Sequence, residues 1–347
     1  HYPQEALDAL AEMGAFGMKI SKDYGGLGLS QTNYARALHY MGSYCQNTVT
    51  WVSAHQSIGV PQPLKLFGTE EQKKRFLPRL AKGAVSAFAL TEPGAGSDPA
   101  DMKTRARRTD AGWHLKGTKC FISNGGVADF IVVYAVTDPD KAHRGISAFI
   151  LPKGTLGLEP GAPEKTMGLK GGHVFTLSLD CHLPADALLG EEGRGFRTAM
   201  QVLDNGRIEV AAQCLGLAEA AMNAAIAYAR DRVIGGEALT DRQGIRWMIA
   251  DMGVAYRQAL LLSQDAARQR QAAHHGGGRF SLAASMAKLA ASEAAGRIAD
   301  TALQLHGGYG YTRDFPIERI NRDLRIMRIY EGSSEIQRII ISGNMLA

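Results

Sequence analysis

The stretch "VSAFALTEPGAGSD", Val85 to Asp98, decides the fold reading, because the texture of the chain changes there. Before it the sequence reads as helices; after it, as far as Gly195, it reads as short strands. Val85 to Leu90 is an apolar run of strand length, and the glycine-rich segment that follows cannot continue it. Gly94 and Gly96 permit positive φ and let a ligand approach the backbone, while Thr91 and Ser97 offer hydroxyls and amides to an anion or a heterocycle. An ordinary turn after a strand accounts for the same composition equally well.

Upstream, residues near 5 to 84 carry helical spacing of apolar positions. "GGLGLS" interrupts it, and Ser30 is placed to cap the next helix. In "GTEEQKKRFLPRLAKG", Gly68 to Gly83, Thr69 is the expected cap, acids fill the first turn, and Pro78 is expected to kink the helix or end it early. Downstream, "GWHLKGTKCFIS", "DFIVVYAV" and "GISAFILP" are β-rich runs separated by Gly, Pro, Asn and Asp. No helical crossover lies between them, which predicts an antiparallel sheet or barrel and argues against a parallel doubly wound sheet. From Phe196 onward long Ala-rich segments restore the helical period, and small residues on helix faces let helices pack closely into a bundle. The fold class is therefore α+β and multidomain. A helical domain is expected over 1–84, an antiparallel β domain over 85–194 and a helical bundle over 195–347.

The 347 residues exceed one ordinary domain, and 45% hydrophobic with 21% charged residues fits a globular chain with a large core. A net charge of +5 with cations and acids interleaved gives no stripe for nucleic acid, so anionic small ligands are the better match. No apolar run reads as long enough to cross a bilayer, so no membrane partner is expected. Cys45, Cys120, Cys181 and Cys214 are far apart, with no CxxC pair and no His/Cys cluster at metal spacing, which predicts a reducing compartment and no metal. The chain opens at His1 inside a helical pattern, so residues before it are expected and a targeting signal is not read.

Four further segments could carry chemistry. In "KCFISNGG", Lys119 to Gly126, Phe121 and Ser123 share a strand face that could hold a flat ring and one hydrogen bond; the alternative is a Phe in the core. In "LDNGRIEV", Leu203 to Val210, Asp204 and Arg207 stand at a spacing that often makes only a surface ion pair, and Gly206 weakens a helix unless something large passes close by. In "QLHGGYGYTRDFPIERINRD", Gln304 to Asp323, a Gly-Gly pair ends a helix, His306 reads as structural, and Asp323 reads as an ion-pair partner in an Arg-rich run. In "RIYEGSSEIQRI", Arg328 to Ile339, Ser334 and Gln337 have the spacing of a capping box, and Ile336, Ile339 and Ile340 begin an apolar face. Glu331 stands just outside that helix start, either as a solvated loop residue or as the group that does the chemistry.

Taken together, "TEPGAGSD", "FISNGG", "LDNGRI", "MAKLAASEAA", "LHGGYGY" and "YEGSSEIQR" resemble the acyl-CoA dehydrogenase family, in its order and spacing over nearly the whole chain. The resemblance implies FAD bound between a β domain and C-terminal helices. Phe88, Leu90, Thr91, Gly96 and Ser97 would line the flavin, and Phe121, Ile122 and Ser123 would cover its other side. The family usually has Trp at the position of Phe121 and often Thr at that of Ser123; a ring and a hydroxyl are kept. Arg232, Gln243 and Gln304, Leu305, His306, Gly307 and Gly308 match segments that hold the adenine half of FAD, mainly that of a neighbouring subunit. Gly235 stands where an aromatic is common. Ser333 and Glu335 match a further FAD contact. Ser97, Asp204, Arg207 and Gly332 match positions that meet the acyl-CoA.

Glu331 matches the family's catalytic base, which removes the α-proton while the β-hydrogen leaves as hydride to the flavin. Some members carry the base at the position that is Gly206 here, and glycine cannot serve. The resemblance further implies a short straight or branched acyl group, in fatty acid β-oxidation or branched-chain amino acid catabolism. Electron-transferring flavoprotein is the implied acceptor and a homotetramer the implied assembly. The implied compartment is the bacterial cytoplasm, or the mitochondrial matrix for a eukaryotic chain. A flavin oxidase using oxygen, or a non-catalytic helical binding protein with the same fold, are the alternatives.

Overall fold

A computed structural model describes residues 3–274 and 280–347. Ten helices are described: α1 (Gln4–Glu12), α2 (Gln31–Tyr44), α3 (Gln46–Ser53), α4 (Pro61–Phe67), α5 (Glu70–Ala81), α6 (Gly195–Asp231), α7 (Gln243–His274), α8 (Ser281–His306), α9 (Ile317–Leu324) and α10 (Ser334–Leu346). The main sheet is built from β1 (Ser86–Ala89), β2 (Arg105–Thr109), β3 (Gly112–Ser123), β4 (Phe130–Val136), β5 (Ile146–Pro152), β6 (Leu158–Pro160), β7 (Val174–Leu183) and β8 (Leu188–Leu189). A small hairpin, β9 (Val233–Ile234) with β10 (Glu237–Ala238), follows α6. The chain divides into two compact units. The first holds residues up to 30, 50–166 and 170–205; the second holds 31–49, 167–169 and 206–347.

In the first unit the strand order is β6-β7-β3-β2-β4-β5-β8, with β1 beside β4. Most neighbours are antiparallel, as expected, but β1 and β2 run parallel to β4. The β2–β3 hairpin turns the chain back before β4 begins, so β4 enters in the direction of β1 without a helical crossover. β4 is central and buried on both faces: Phe130, Val132 and Tyr134 belong to one apolar cluster, and Ile131, Val133 and Ala135 to the other. α5 starts with a complete capping box, Gln72 N–H donating to Thr69 Oγ1 and Thr69 N–H to Gln72 Oε1, each at 3.2 Å. It then runs through Pro78 to Ala81, so the proline does not end it early. Phe76, Leu77, Leu80 and Ala81 are buried on both sides of the proline, and that packing outweighs one lost backbone hydrogen bond.

The second unit is a helical bundle of α2, the greater part of α6, α7, α8, α9 and α10. Its core is rich in alanine: Ala211, Ala218 and Ala221 of α6, Ala259 and Ala266 of α7, Ala287, Ala291 and Ala295 of α8. Small side chains bring helix axes together. At the α2–α6 crossing a Cβ on Gly216 would lie 2.3 Å from the His39 carbonyl oxygen, so only glycine fits. The same crossing carries a polar tie, His39 Nε2 lying 2.6 Å from the Glu219 carboxylate and 3.2 Å from the Tyr256 hydroxyl. One sequence expectation is corrected here. α6, with 37 residues, is long and apolar enough by length and composition to cross a membrane. Its apolar residues from Ile208 onward belong to the bundle core, and those at its start, such as Ala199 and Leu203, to a cluster of the first unit.

Candidate functional site

In the first unit, the loop after β1 and the end of β3 are tied together. Cys120 N–H donates to Thr91 O at 2.9 Å. Lys119 is completely buried, and its Nζ donates to Leu90 O at 3.0 Å and to Glu92 Oε1 at 2.8 Å. Glu92 also accepts the amides of Lys103 (2.6 Å) and Thr104 (3.0 Å). Burial alone would raise the Glu92 carboxyl, but the Lys119 charge and these hydrogen bonds hold it below the usual range. Burial lowers Lys119 to about 8. The pair pins Leu90 and Thr91 at the root of a loop whose tip, Gly96 and Ser97, is exposed.

The same tie places Phe121, Ile122 and Ser123 beside that loop. The β3–β7 register breaks between Lys119 and Ile122, and Phe121 adopts φ 57° in this bulge. Ile122 is buried in the sheet core, whereas Phe121 is 67% exposed and Ser123 half-buried. The core-Phe alternative is thereby excluded: the bulge turns the ring outward. Phe88 is half-buried with its ring 5.1 Å from that of Tyr134.

In the second unit, Glu331 adopts φ 53° and Gly332 φ 89°, so a non-glycine residue sits in the left-handed region at the entrance of α10. Three side chains from three helices hold that turn. Arg207 of α6, buried, directs Nε at Glu331 O across 3.5 Å. Gln337 of α10 donates from Nε2 to Glu331 O (3.2 Å) and Gly332 O (2.9 Å). Lys288 of α8, completely buried, donates from Nζ to Gly332 O at 2.8 Å.

These contacts correct two expectations. Arg207 is buried against the Glu331 turn and does not stand on the surface. The cap of α10 is Ser333, whose Oγ accepts Ile336 N–H at 3.4 Å; Ser334 instead donates to Glu293 at 2.6 Å, and Gln337 is drawn to the two carbonyls. Along the isoleucine face, Ile336 and Ile340 are half-buried and Ile339 is 64% exposed. Glu335 is exposed in the first turn, and Asp204 lies half-buried on α6. Asp323 is also corrected. It is buried and accepts Leu169 N–H at 2.6 Å, and burial pushes its carboxyl up; the ion pair of that run is Glu318 with Arg322, at 2.7 Å.

The residues expected at the adenine half of the cofactor converge. Arg232, Gln304, Leu305, His306, Gly307 and Gly308 line one cavity of about 640 Å³, with Tyr228 and Tyr309. His306 stacks on Tyr228 at 4.5 Å and its Nδ1 lies 2.7 Å from Ala302 O, which fixes the ring. The Arg232 guanidinium lies 5.8 Å from the centre of the Tyr309 ring. Gln243 is exposed at the start of α7, and Ile245 and Met248 supply that wall. Gly235 and Gly236 have φ of 65° and 85° in the β9–β10 turn, a conformation that two central glycines satisfy without strain.

Glu92, Lys119 and Lys288 carry no sequence signal of their partners, and Gln337 reads only as half of a capping box. Their partners are remote in the chain or are main-chain carbonyls, and spacing carries no signal for either.

The models of the acyl-CoA dehydrogenase N-terminal, middle and C-terminal domains match residues 1–84, 87–181 and 193–346. The chain is 42% identical over 350 residues to acryloyl-CoA reductase (NADH) of Anaerotignum propionicum, covering 99% of this chain and 87% of that one. It is 42% identical to the short-chain specific acyl-CoA dehydrogenase of Clostridium acetobutylicum, covering 99% and 90%. It superposes on butyryl-CoA dehydrogenase of Megasphaera elsdenii with a TM-score of 0.96 at 40% identity, covering 100% and 91%. With all three domain models matched along its length, the chain belongs to the acyl-CoA dehydrogenase family.

Proposed function

We propose that this chain catalyses FAD-dependent α,β-dehydrogenation of a short-chain acyl-CoA to the trans-2-enoyl-CoA, with Glu331 as the base that takes the α-proton. The observation that carries the reading is how Glu331 is held. A left-handed non-glycine residue persists only where its surroundings over-determine it, and here Arg207, Gln337 and Lys288 fix the carbonyls of residues 331 and 332. A solvated loop acid needs no such support.

The chemistry calls for this arrangement. A thioester α-proton is weakly acidic, so the base must be within reach of it and water must be kept out. Gly332 has φ 89°, and a Cβ there would meet Gln337 Nε2 at 2.6 Å, so the turn beside the base needs glycine; Ser97, Asp204, Arg207 and Gly332 are the proposed acyl-CoA contacts. The residues present fit FAD. Phe121 offers an outward ring, Thr91 and Ser123 offer hydroxyls, and the cavity at Arg232 and Gln304 offers a guanidinium, an amide and stacked rings to a nucleotide. Phe88, Leu90, Gly96, Ile122, Gln243, Ser333 and Glu335 complete the proposed contacts. FAD, when bound, supplies the two-electron acceptor for the hydrogen leaving Cβ.

Electron-transferring flavoprotein is the proposed acceptor, and a bacterial cytoplasm or mitochondrial matrix the proposed compartment. A homotetramer is proposed as well, supported by the apolar side chains left exposed on α7 and α10, among them Trp247, Val254, Leu261 and Ile339. The three-part division at 1–84, 85–194 and 195–347 is kept as the proposed domain plan. The names of the similar proteins favour a straight short acyl group over a branched one. They also favour a second reading, reduction of a short enoyl-CoA, because one relative is an acryloyl-CoA reductase.

Anaerobic titration with butyryl-, isobutyryl- and longer acyl-CoAs, followed by flavin bleaching, tests the proposal. Bleaching by the short thioesters is expected, and no bleaching at any chain length would contradict it. Oxygen consumption without an added acceptor would point to an oxidase instead.

A further inference from the structure

We propose that Lys288 is a positioning residue for the base: its buried ammonium ties down the Gly332 carbonyl and, beside Glu331, keeps that carboxylate ionised and in place. The inference rests on the reading of Glu331 as the base. Lys288 is completely buried in α8, where an ammonium is costly unless an opposite charge answers it. Its hydrogen-bond partner is neutral, the Gly332 oxygen at 2.8 Å.

The charged and titratable groups that act on Lys288 are Cys214 and Arg207 of α6, Glu293 of α8, Glu331, and Glu335 of α10. Burial pushes the Cys214 thiol up to about 12, so it is neutral at physiological pH. Arg207 is a like charge. Glu293 already takes Ser334 Oγ at 2.6 Å and lies 3.4 Å from Arg328 Nε. Glu335 is exposed, where water screens its charge, whereas Glu331 stands one residue before the carbonyl that Lys288 holds. Burial lowers Lys288 to about 8, so it remains protonated at neutral pH and its charge acts on the base.

The test compares FAD-loaded wild type with Lys288→Met, Lys288→Arg and Gln337→Leu in anaerobic stopped-flow reduction by butyryl-CoA across pH. Lys288→Met is expected to slow flavin reduction about 10- to 100-fold and to move the acid limb of the rate profile up by about one unit. Lys288→Arg keeps the charge and is expected to keep the acid limb. Gln337→Leu removes the other donor to Gly332 O without changing charge, and is expected to slow reduction with the limb in place; a shifted limb there would overturn the charge role. Hydrogen exchange of amides 330–333 in the apoprotein is the second readout, expected to speed up in Lys288→Met. A Lys288→Met enzyme with the wild-type limb and wild-type exchange would overturn the proposal, and Lys288→Gln takes its place if the Met variant does not fold. Glu331→Gln is run alongside. If it reduces flavin at the wild-type rate, the base assignment fails; if only the Lys288 variants are indifferent, the Lys288 inference fails alone.

Discussion

Two lysines are buried to the same degree, one in each unit, and they are answered differently. Lys119 meets the Glu92 carboxylate at 2.8 Å, and Glu92 is itself satisfied by two backbone amides. Lys288 meets a peptide carbonyl, with the Glu331 charge close by. Burial lowers both to about 8. The closed pair is a structural tie: every strong donor and acceptor in it is used, and it fixes where a loop leaves a strand. The open one keeps charge available, and it stands beside the one acid whose backbone is strained.

The largest effect is expected from breaking the closed pair. Lys119→Met leaves Glu92 buried without its cation and should cost about 3–5 kcal/mol in chemical denaturation. The double variant with Glu92→Gln should recover most of that loss, because no charge is then stranded. A single variant as stable as wild type would show that the pair does not hold the loop.

Next comes the pH dependence the two lysines share. Each has a folded pKa near 8, below the ordinary 10.5. Between those values the unfolded chain binds more protons, so stability should rise with pH across the window, by up to about 3 kcal/mol for each lysine. Replacing either lysine by Met should flatten the rise, and an unchanged slope would mean that neither is a protonated buried cation.

The smallest effect separates the pair. Lys288→Met removes a buried charge, while Gln337 still satisfies Gly332 O, so stability should change by less than about 1 kcal/mol even as flavin reduction slows. Loss of several kcal/mol at Lys288 would make it a structural tie like Lys119.

The helix–strand–helix order was legible because periodicity changes at Val85 and again near Phe196, and local patterning reports local structure. Features set by tertiary contact were not. Two adjacent serines, Ser333 and Ser334, both satisfy the rules for a cap; the choice fell to Ser333 because Glu293 and the residue 331–332 carbonyls compete for Ser334 and Gln337. Alternation placed Phe121 and Ser123 on one face, but the bulge that turns the ring outward depends on β7. Pro78 was read from local rules that core packing overrode. At the site, the residues lining the cavity beside Arg232 could be named only through the family resemblance; by themselves they read as a helix end with a structural histidine. The lysines could not, since each is defined by a partner far along the chain.

The most direct test of the account is Glu331→Gln, loaded with FAD and mixed anaerobically with butyryl-CoA while flavin absorbance is followed. Normal FAD content with reduction slowed by about a thousandfold or more is the predicted result. Normal FAD content with bleaching at the wild-type rate would contradict the assignment of Glu331 as the base.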